Sequence, residues 1–259
     1  MKPPLGDVVD GYRIVERIWQ GSTSTVYLAR AIKSPPPFTL YVAVKTLSSH
    51  KSSQHYIKQF SREWKLTSSL DHPNIVKVFS LVKNGTMQHL FMEYVKGKSL
   101  RHWFSDRLFL FEEVVEIFLG LLSGLICLQE KKIIHKDIKP ENILVSEDIS
   151  QIKIIDFGYA VKDSLFRKDL FPFAGTEKYM APERKSGKAD GRSDLYSVGK
   201  VIEEMLGKLP YTPQFIKPIV RKCINLLPEE RYQTADETKK DLLFFYDYFK
   251  RKHEMRRSR

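Results

Sequence analysis

IIHKDIKPENILVSEDISQIKIIDFG, residues 133–158, decides the reading of this chain. Its apolar runs, as in IIHKD, ILVSE and IKIID, are short strands rather than helical turns, and they alternate with polar turns. The turns carry His135, Asp137, Lys139, Asn142 and Asp156. Short strands that present charged side chains from connecting loops are the arrangement in which a rigid scaffold carries functional groups.

Upstream of this stretch the pattern is that of a sheet. YRIVERI at 12–18, TVYLARAI at 25–32 and LYVAVKT at 40–46 alternate as strands, and the prolines of KSPPPF mark a loop between the second and third. From Gln54 to Leu70 the residues Ile57, Phe60, Trp64 and Leu70 recur at helical intervals, and Pro73 blocks continuation. IVKVFSLV at 75–82 and MQHLFMEYV at 87–95 then flank Asn84-Gly85, a strong hairpin signal. Downstream of Gly97 the pattern is helical, with segments at Glu112–Lys132, Asp194–Leu206, roughly 212–226 and Ala235–Tyr248. The expected architecture is therefore α+β and bilobal. Residues 1–92 form a small lobe of five antiparallel strands and one helix, 93–97 a hinge, 98–249 a mainly helical lobe, and 250–259 a basic tail.

Composition narrows the function classes. With 259 residues, 42% apolar and 29% charged, the chain can bury a core and is not globally disordered. The charge-free run Ile117–Gln129 is shorter than the roughly 20 residues a membrane-spanning helix needs. Two cysteines, Cys127 and Cys223, exclude a secreted disulfide framework, and MKPPLGDVVDGY has no signal-type apolar core. A cytoplasmic location is the expectation. The net charge of +12 favours anionic partners, and the final ten residues, KRKHEMRRSR, hold six basic residues against one acid. That tail is a candidate contact for an anionic partner or a membrane surface. No stacking aromatics interleave the cluster and no zinc-finger or RNA-motif spacing appears, so no nucleic-acid partner is assigned.

The order VAVK (ending at Lys45), HPNIVKV, FMEYV, HKDIKPEN (135–142), IIDFG (154–158), AGTEKYMAPE (174–183) and RSDLYSVG (192–199) resembles the signature of eukaryotic-like, Hanks-type serine/threonine protein kinases over about residues 12–249. The resemblance implies transfer of the γ-phosphoryl of Mg-ATP to a protein Ser/Thr hydroxyl, with autophosphorylation. Phosphoryl transfer is governed by positioning and charge neutralisation, so cations and cation holders matter most. Lys45 is similar to the family lysine on the α- and β-phosphates, with Glu63 its partner. Asp137 matches the catalytic base, Lys139 the lysine that neutralises the transferring group, and Asn142 and Asp156 the magnesium ligands. His135 matches a packing residue. Glu183 and Arg231 match a buried ion pair, and Asp194 the residue that anchors the catalytic loop. For ATP the resemblance assigns Gly21, Val26, Ala43, Leu144, main-chain groups of Glu93 and Val95, and Met92 as gatekeeper. Thr176 falls in the acceptor-facing part of the activation segment.

The chain also departs from the family. Of the three glycines in the phosphate loop only Gly21 remains, in WQGSTS at 19–24, which implies altered nucleotide affinity. Serine at the third glycine position resembles bacterial members. HKD places Lys136 where arginine usually pairs with a phosphorylated residue, and lysine cannot make that planar bidentate contact. Ser164 is the candidate regulatory hydroxyl. Thr67 stands where a large apolar residue is usual, and LGKLP at 206–210 leaves little room for the usual helix before the Cys223 segment. The damaged loop and Thr67 keep open a second reading, a pseudokinase scaffold that binds nucleotide without turnover.

Overall fold

A computed structural model describes residues 5–21, 23–33, 39–47, 54–84, 87–163 and 176–257. The chain divides into two compact units, residues 1–96 and 97–259.

The first unit is an antiparallel sheet with one helix. Its strands are β1 (Val8–Val9), β2 (Tyr12–Gln20), β3 (Ser24–Ala31), β4 (Tyr41–Leu47), β5 (Val78–Asn84) and β6 (Met87–Glu93), in the order β1-β2-β3-β4-β6-β5. The helix α1 (Gln54–Thr67) lies between β4 and β5 in sequence. Strand alternation divides the side chains between two faces. Tyr12, Ile14, Tyr27, Ala29, Val42, Val44 and Phe91 bury one face. On the other, Leu47, Val78 and Leu90 pack with Phe60 of α1, joined by Tyr56, Ile57 and Trp64.

The sheet has six strands where the sequence reading has five. The added β1 pairs Val9 with Tyr12 and Val8 with Arg13. Asp10 and Gly11 connect them, both with positive φ, 48° and 82°. Two positive φ values in a two-residue loop are the requirement of a type I′ hairpin, which Asp-Gly meets well. Two residues are too few to show alternation, so β1 is betrayed only by its turn. Gly85 of the second expected turn lies outside the described residues, although β5 and β6 do pair across it.

In the second unit come β7 (Lys98–Ser99), α2 (Leu100–Asp106), α3 (Phe111–Glu130), β8 (Ile133–Ile134), β9 (Ile143–Val145), β10 (Ile152–Ile154), β11 (Val161–Lys162), α4 (Gly191–Leu206), α5 (Ile216–Cys223) and α6 (Ala235–Arg257). The strands form two small sheets, β10-β9-β7 and β11-β8. Helix α3 is the central buried helix: Val114, Phe118, Leu121, Leu125 and Leu128 repeat at three- and four-residue intervals and are buried. It packs on α4 and α6.

Helix α2 is absent from the sequence reading. Ser99 caps it by accepting the His102 N–H at 3.2 Å, and the buried Trp103 donates its indole N–H to the Val145 carbonyl at 2.9 Å. Helix α5 begins at Ile216 rather than near 212. Pro218 is tolerated only in a first helical turn, where its missing N–H has no intrahelical partner to lose, so a start at 212 would put it in the interior. Residues 207–215, between α4 and α5, contain no helix. Residues 250–257, read above as part of a tail, continue α6.

Close approach of α4 to α5 rests on Gly199. A Cβ there would lie 2.7 Å from Ile224 Cγ2 and 2.8 Å from Cys223 Cβ. Gly199→Ala is expected to destabilise by about 1–3 kcal/mol despite its better helix propensity. A lower urea midpoint at unchanged m-value is the expected result; a midpoint at or above wild type would contradict it.

Candidate active site

In the first unit the register of β4 sets the site. Ala43, Lys45 and Leu47 alternate onto the face that meets α1, and Lys45 pairs with Val26 on β3 and Leu90 on β6. Glu63, on the facing side of α1, accepts two bonds from the Lys45 ammonium, 2.7 Å to Oε1 and 2.9 Å to Oε2. Both residues are buried, and the ammonium also lies 5.7 Å from the Phe60 ring centroid. A buried pair of this kind is sensitive to loss of either partner, because the survivor is an uncompensated charge. Thr67, one turn after Glu63, is buried, and its hydroxyl donates to the Glu63 carbonyl at 2.8 Å. The polar group is thus satisfied within the helix.

Val26, Ala43 and Met92 share the Lys45 face, Ala43 pairing with Met92 across β4 and β6. Glu93 ends β6, with its N–H bonded to the Lys77 carbonyl at 2.9 Å, and Val95 is buried. Gly21 closes the β2–β3 connection by donating its N–H to the Ser24 carbonyl at 2.9 Å.

In the second unit the chain between β8 and β9 is held by Asp194, near the start of α4. Its carboxylate accepts the His135 N–H at 2.6 Å and the Lys136 N–H at 2.9 Å. Burial pushes the Asp194 carboxyl up, while the two N–H bonds and the charge of Arg184 oppose that shift. The Lys136 carbonyl accepts from the buried Arg184 guanidinium. Lys136 itself is 1% exposed with φ 71°, a conformation uncommon outside glycine, and is held there by bonds to both its backbone groups.

The His135 ring uses both nitrogens. Nε2 lies 3.1 Å from the Ile155 carbonyl, which can only accept, and Nδ1 takes the Asp137 N–H at 3.2 Å. These partners define the neutral Nε2–H tautomer. The ring also meets Phe157 edge-on, at 4.6 Å between centroids.

Asp137 is 5% exposed. Its Oδ2 accepts from Asn142 Nδ2 at 2.9 Å and from Lys139 Nζ at 2.8 Å. Its Oδ1 is buried and has no hydrogen-bond partner among the described residues. Asn142 Nδ2 also donates to the Asp137 carbonyl at 2.9 Å, so the amide nitrogen faces Asp137 and the amide oxygen takes no part in these bonds. The Ile155 N–H donates to the Asn142 carbonyl at 3.0 Å, which brings Asp156 beside Asn142. Asp156 has φ 64° and accepts the Gly158 N–H at 3.2 Å. One amide oxygen and one carboxylate are hard donors of the number that magnesium takes from protein when phosphate and water complete its shell. The two residues fit that metal. Leu144, on β9 and paired with Lys153 of β10, is half-buried.

Glu183 and Arg231 form a two-armed pair, Nη1 to Oε1 and Nη2 to Oε2, both 2.8 Å. Burial raises the Glu183 carboxyl, but Arg231 and the Ser193 hydroxyl outweigh it and hold the group below its usual range. Thr176 is exposed and precedes a short 3-10 turn at Glu177–Tyr179. Ser164 lies outside the described residues.

The structure thus brings Asp137, Lys139 and Asn142 into direct contact, Lys45 against Glu63, and Asp194 against the His135–Lys136 backbone. Three features went unread in the sequence. Arg184 follows Glu183 in a charged stretch that reads as surface. Arg101 bridges Glu141 and Glu204, each at 2.8 Å, and donates to the Tyr179 hydroxyl, which in turn bonds Glu204 at 2.5 Å. Lys178 completes that network at 2.7 Å and, with Arg101 and Tyr179, holds the Glu204 carboxyl down to about 2 against the effect of burial. These partners are 25 to 103 residues apart in sequence, so no local pattern announces them. The third is Trp19, whose indole lies over Gly21.

The protein kinase domain model matches residues 12–258. A probable serine/threonine-protein kinase of Clostridium perfringens is 30% identical over 262 residues, covering 89% of this chain and 38% of that protein. The serine/threonine-protein kinase PrkC of Bacillus subtilis is 30% identical over 275 residues, covering 94% of this chain and 42% of its own length. This chain therefore spans less than half of either relative. Among solved structures, the kinase domain of Mycobacterium tuberculosis PknI superposes with a TM-score of 0.70 over 92% of this chain and 98% of that one, at 22% identity, which shows the same fold.

Glu183→Gln leaves the buried Arg231 guanidinium without its anion and should cost about 3–5 kcal/mol at neutral pH. A depressed folded carboxyl value means that the pair's contribution is complete above the ordinary glutamate range, about 4, and is lost as pH falls through the lowered value. The gap in urea midpoint between variant and wild type should therefore shrink in acid; a gap independent of pH down to about 3 would show that the ion pair is not its source.

Proposed function

The chain belongs to the protein kinase domain family, and on that premise we propose that it transfers the γ-phosphoryl group of ATP to a serine or threonine hydroxyl of a protein. The observation that carries the reading is Asp137: one carboxylate oxygen is fixed by Asn142 and Lys139, and the other is buried with no partner among the described residues. Leaving a buried acceptor bare is costly, and such atoms in native proteins call for a functional reason. An acceptor hydroxyl that donates to Oδ1 satisfies it and is oriented by it.

The hydroxyl oxygen forms a bond to the γ-phosphorus as the bond to the β-phosphate oxygen breaks, the hydroxyl proton passes to Asp137 Oδ1, and ADP leaves. Lys139 stays paired with Oδ2, which fixes the carboxylate and keeps a positive charge beside the transferring group. Lys45, aligned by Glu63, binds the α- and β-phosphates on the strand face that carries Val26 and Ala43. Asn142 and Asp156 would hold magnesium, which when bound supplies positive charge to the phosphate oxygens. His135 moves no proton, because its ring nitrogens are spent on backbone groups.

The reading extends to autophosphorylation, with Ser164 as the candidate site, and to a cytoplasmic location. It also assigns the basic end of α6, where Lys250, Arg251 and Lys252 are exposed, as a surface for an anionic partner.

Asp137→Asn preserves shape and removes the base. Transfer of label from γ-labelled ATP to a generic protein should fall by about 10²- to 10⁴-fold while nucleotide still binds. Asp156→Asn, chosen because asparagine tolerates a positive φ that alanine does not, should lose magnesium-dependent nucleotide binding as well. Wild type that binds ATP but labels no protein would instead support the scaffold reading, and near-native turnover in Asp137→Asn would refute the assigned base.

A further inference from the structure

Gly21 is not explained by its backbone, since it is not among the positive-φ glycines, Gly6, Gly11 and Gly187. What a side chain at this position would meet is Trp19. A Cβ at position 21 would lie 2.0 Å from Trp19 Cη2 and within 2.8 Å of Cζ2 and Cζ3, so the outer edge of the indole rests directly on the Gly21 backbone.

The side of the sheet on which this happens follows from the register. Trp19 pairs with Val26, and Val26 pairs with Lys45. Antiparallel partners project to the same face, so Trp19 lies on the Lys45 face, opposite the core of Tyr12, Tyr27 and Phe91. At 51% exposed it is not a core residue, in contrast to the half-buried Trp64 and the buried Trp103. A large aromatic ring is therefore folded against Gly21, on the face that also presents the Lys45 ammonium.

We propose that the Trp19 indole is an internal occupant of the phosphate-facing side of this turn, one that a nucleotide must displace before its phosphates can reach the loop backbone. The inference rests on the reading that the Lys45 face receives the nucleotide. The fraction of molecules with the ring displaced scales the apparent affinity, so Trp19 determines how tightly phosphorylated nucleosides bind. A ligand without phosphates does not need the turn and escapes the exchange. Trp19 thus makes the chain discriminate against the phosphate portion of its own substrate, at the place where the usual glycines would leave the turn open.

Calorimetric titration of the full chain with MgADP and, separately, with adenosine tests this in wild type, Trp19→Ala and Trp19→Phe. For Trp19→Ala the dissociation constant for MgADP is expected to fall by about three- to tenfold, the size of one aromatic contact, while that for adenosine changes by less than about twofold. Trp19→Phe should lie between. In wild type MgADP should also alter tryptophan emission, and that change should vanish in Trp19→Phe. Unchanged or weaker MgADP binding by Trp19→Ala, with unaltered thermal unfolding, would overturn the inference and leave the kinase reading standing. Equal tightening for adenosine would overturn it too, since the effect would not be one on phosphate. Absence of nucleotide binding in every variant would overturn both.

Discussion

The buried carboxylate of Asp194 is the constraint from which the chain between β8 and β9 takes its shape. It grips two successive amides, His135 and Lys136, from the start of α4. Arg184 grips the Lys136 carbonyl from the chain just before α4. A single peptide neighbourhood is thereby fastened on its donor and acceptor sides. That double hold sustains a non-glycine residue at φ 71°, next to Asp137, which has one oxygen held and the other without a partner among the described residues. His135 adds a third tie, linking the Asp137 amide to the Ile155 carbonyl through its ring. The backbone that carries Asp137 is fixed by these bonds, and its carboxylate by the side chains of Asn142 and Lys139.

The charged groups of the second unit serve distinct ends. Glu183 and Arg231 form a closed, two-armed pair whose loss is structural. The Arg101, Tyr179, Glu204 and Lys178 network joins α2, α4 and the turn after Thr176, and Arg101 also reaches Glu141, the neighbour of Asn142. The part of the chain assigned to receive the acceptor is thus tied to the helices beneath it by several charge-assisted bonds, individually modest and jointly restrictive.

Much of this was legible in the sequence because it is local. The alternation in LYVAVKT put Lys45 on one face of a strand, the spacing of Phe60 and Glu63 followed from the helix, and HKDIKPEN carried its own internal contacts, Asp137 to Lys139 and Asn142. What escaped was either too short or too distant. β1 has two residues, and α2 has one turn of apolar spacing between Ser99 and Asp106. The role of Arg184 depends on a carbonyl 48 residues away. Pro218 could have set the start of α5, since proline in a helix is informative only when its position within the first turn is considered. Thr67 stands where a large apolar residue is usual in the family. Its hydroxyl donates to the Glu63 carbonyl, and the buried polar group costs little because the helix itself accepts the hydrogen bond.

The tight seat of α4 on α5 also creates a chemical gauge. Cys223 is fully buried beneath Gly199, and its thiol is pushed up to about 12, chiefly by that burial. In the closed helix pair it is neither accessible nor ionised, and so is inert toward electrophiles. Alkylation of this sulfur requires the two helices to part, and the rate at which it is labelled counts those openings, a clock for local unfolding carried by the protein without any added probe.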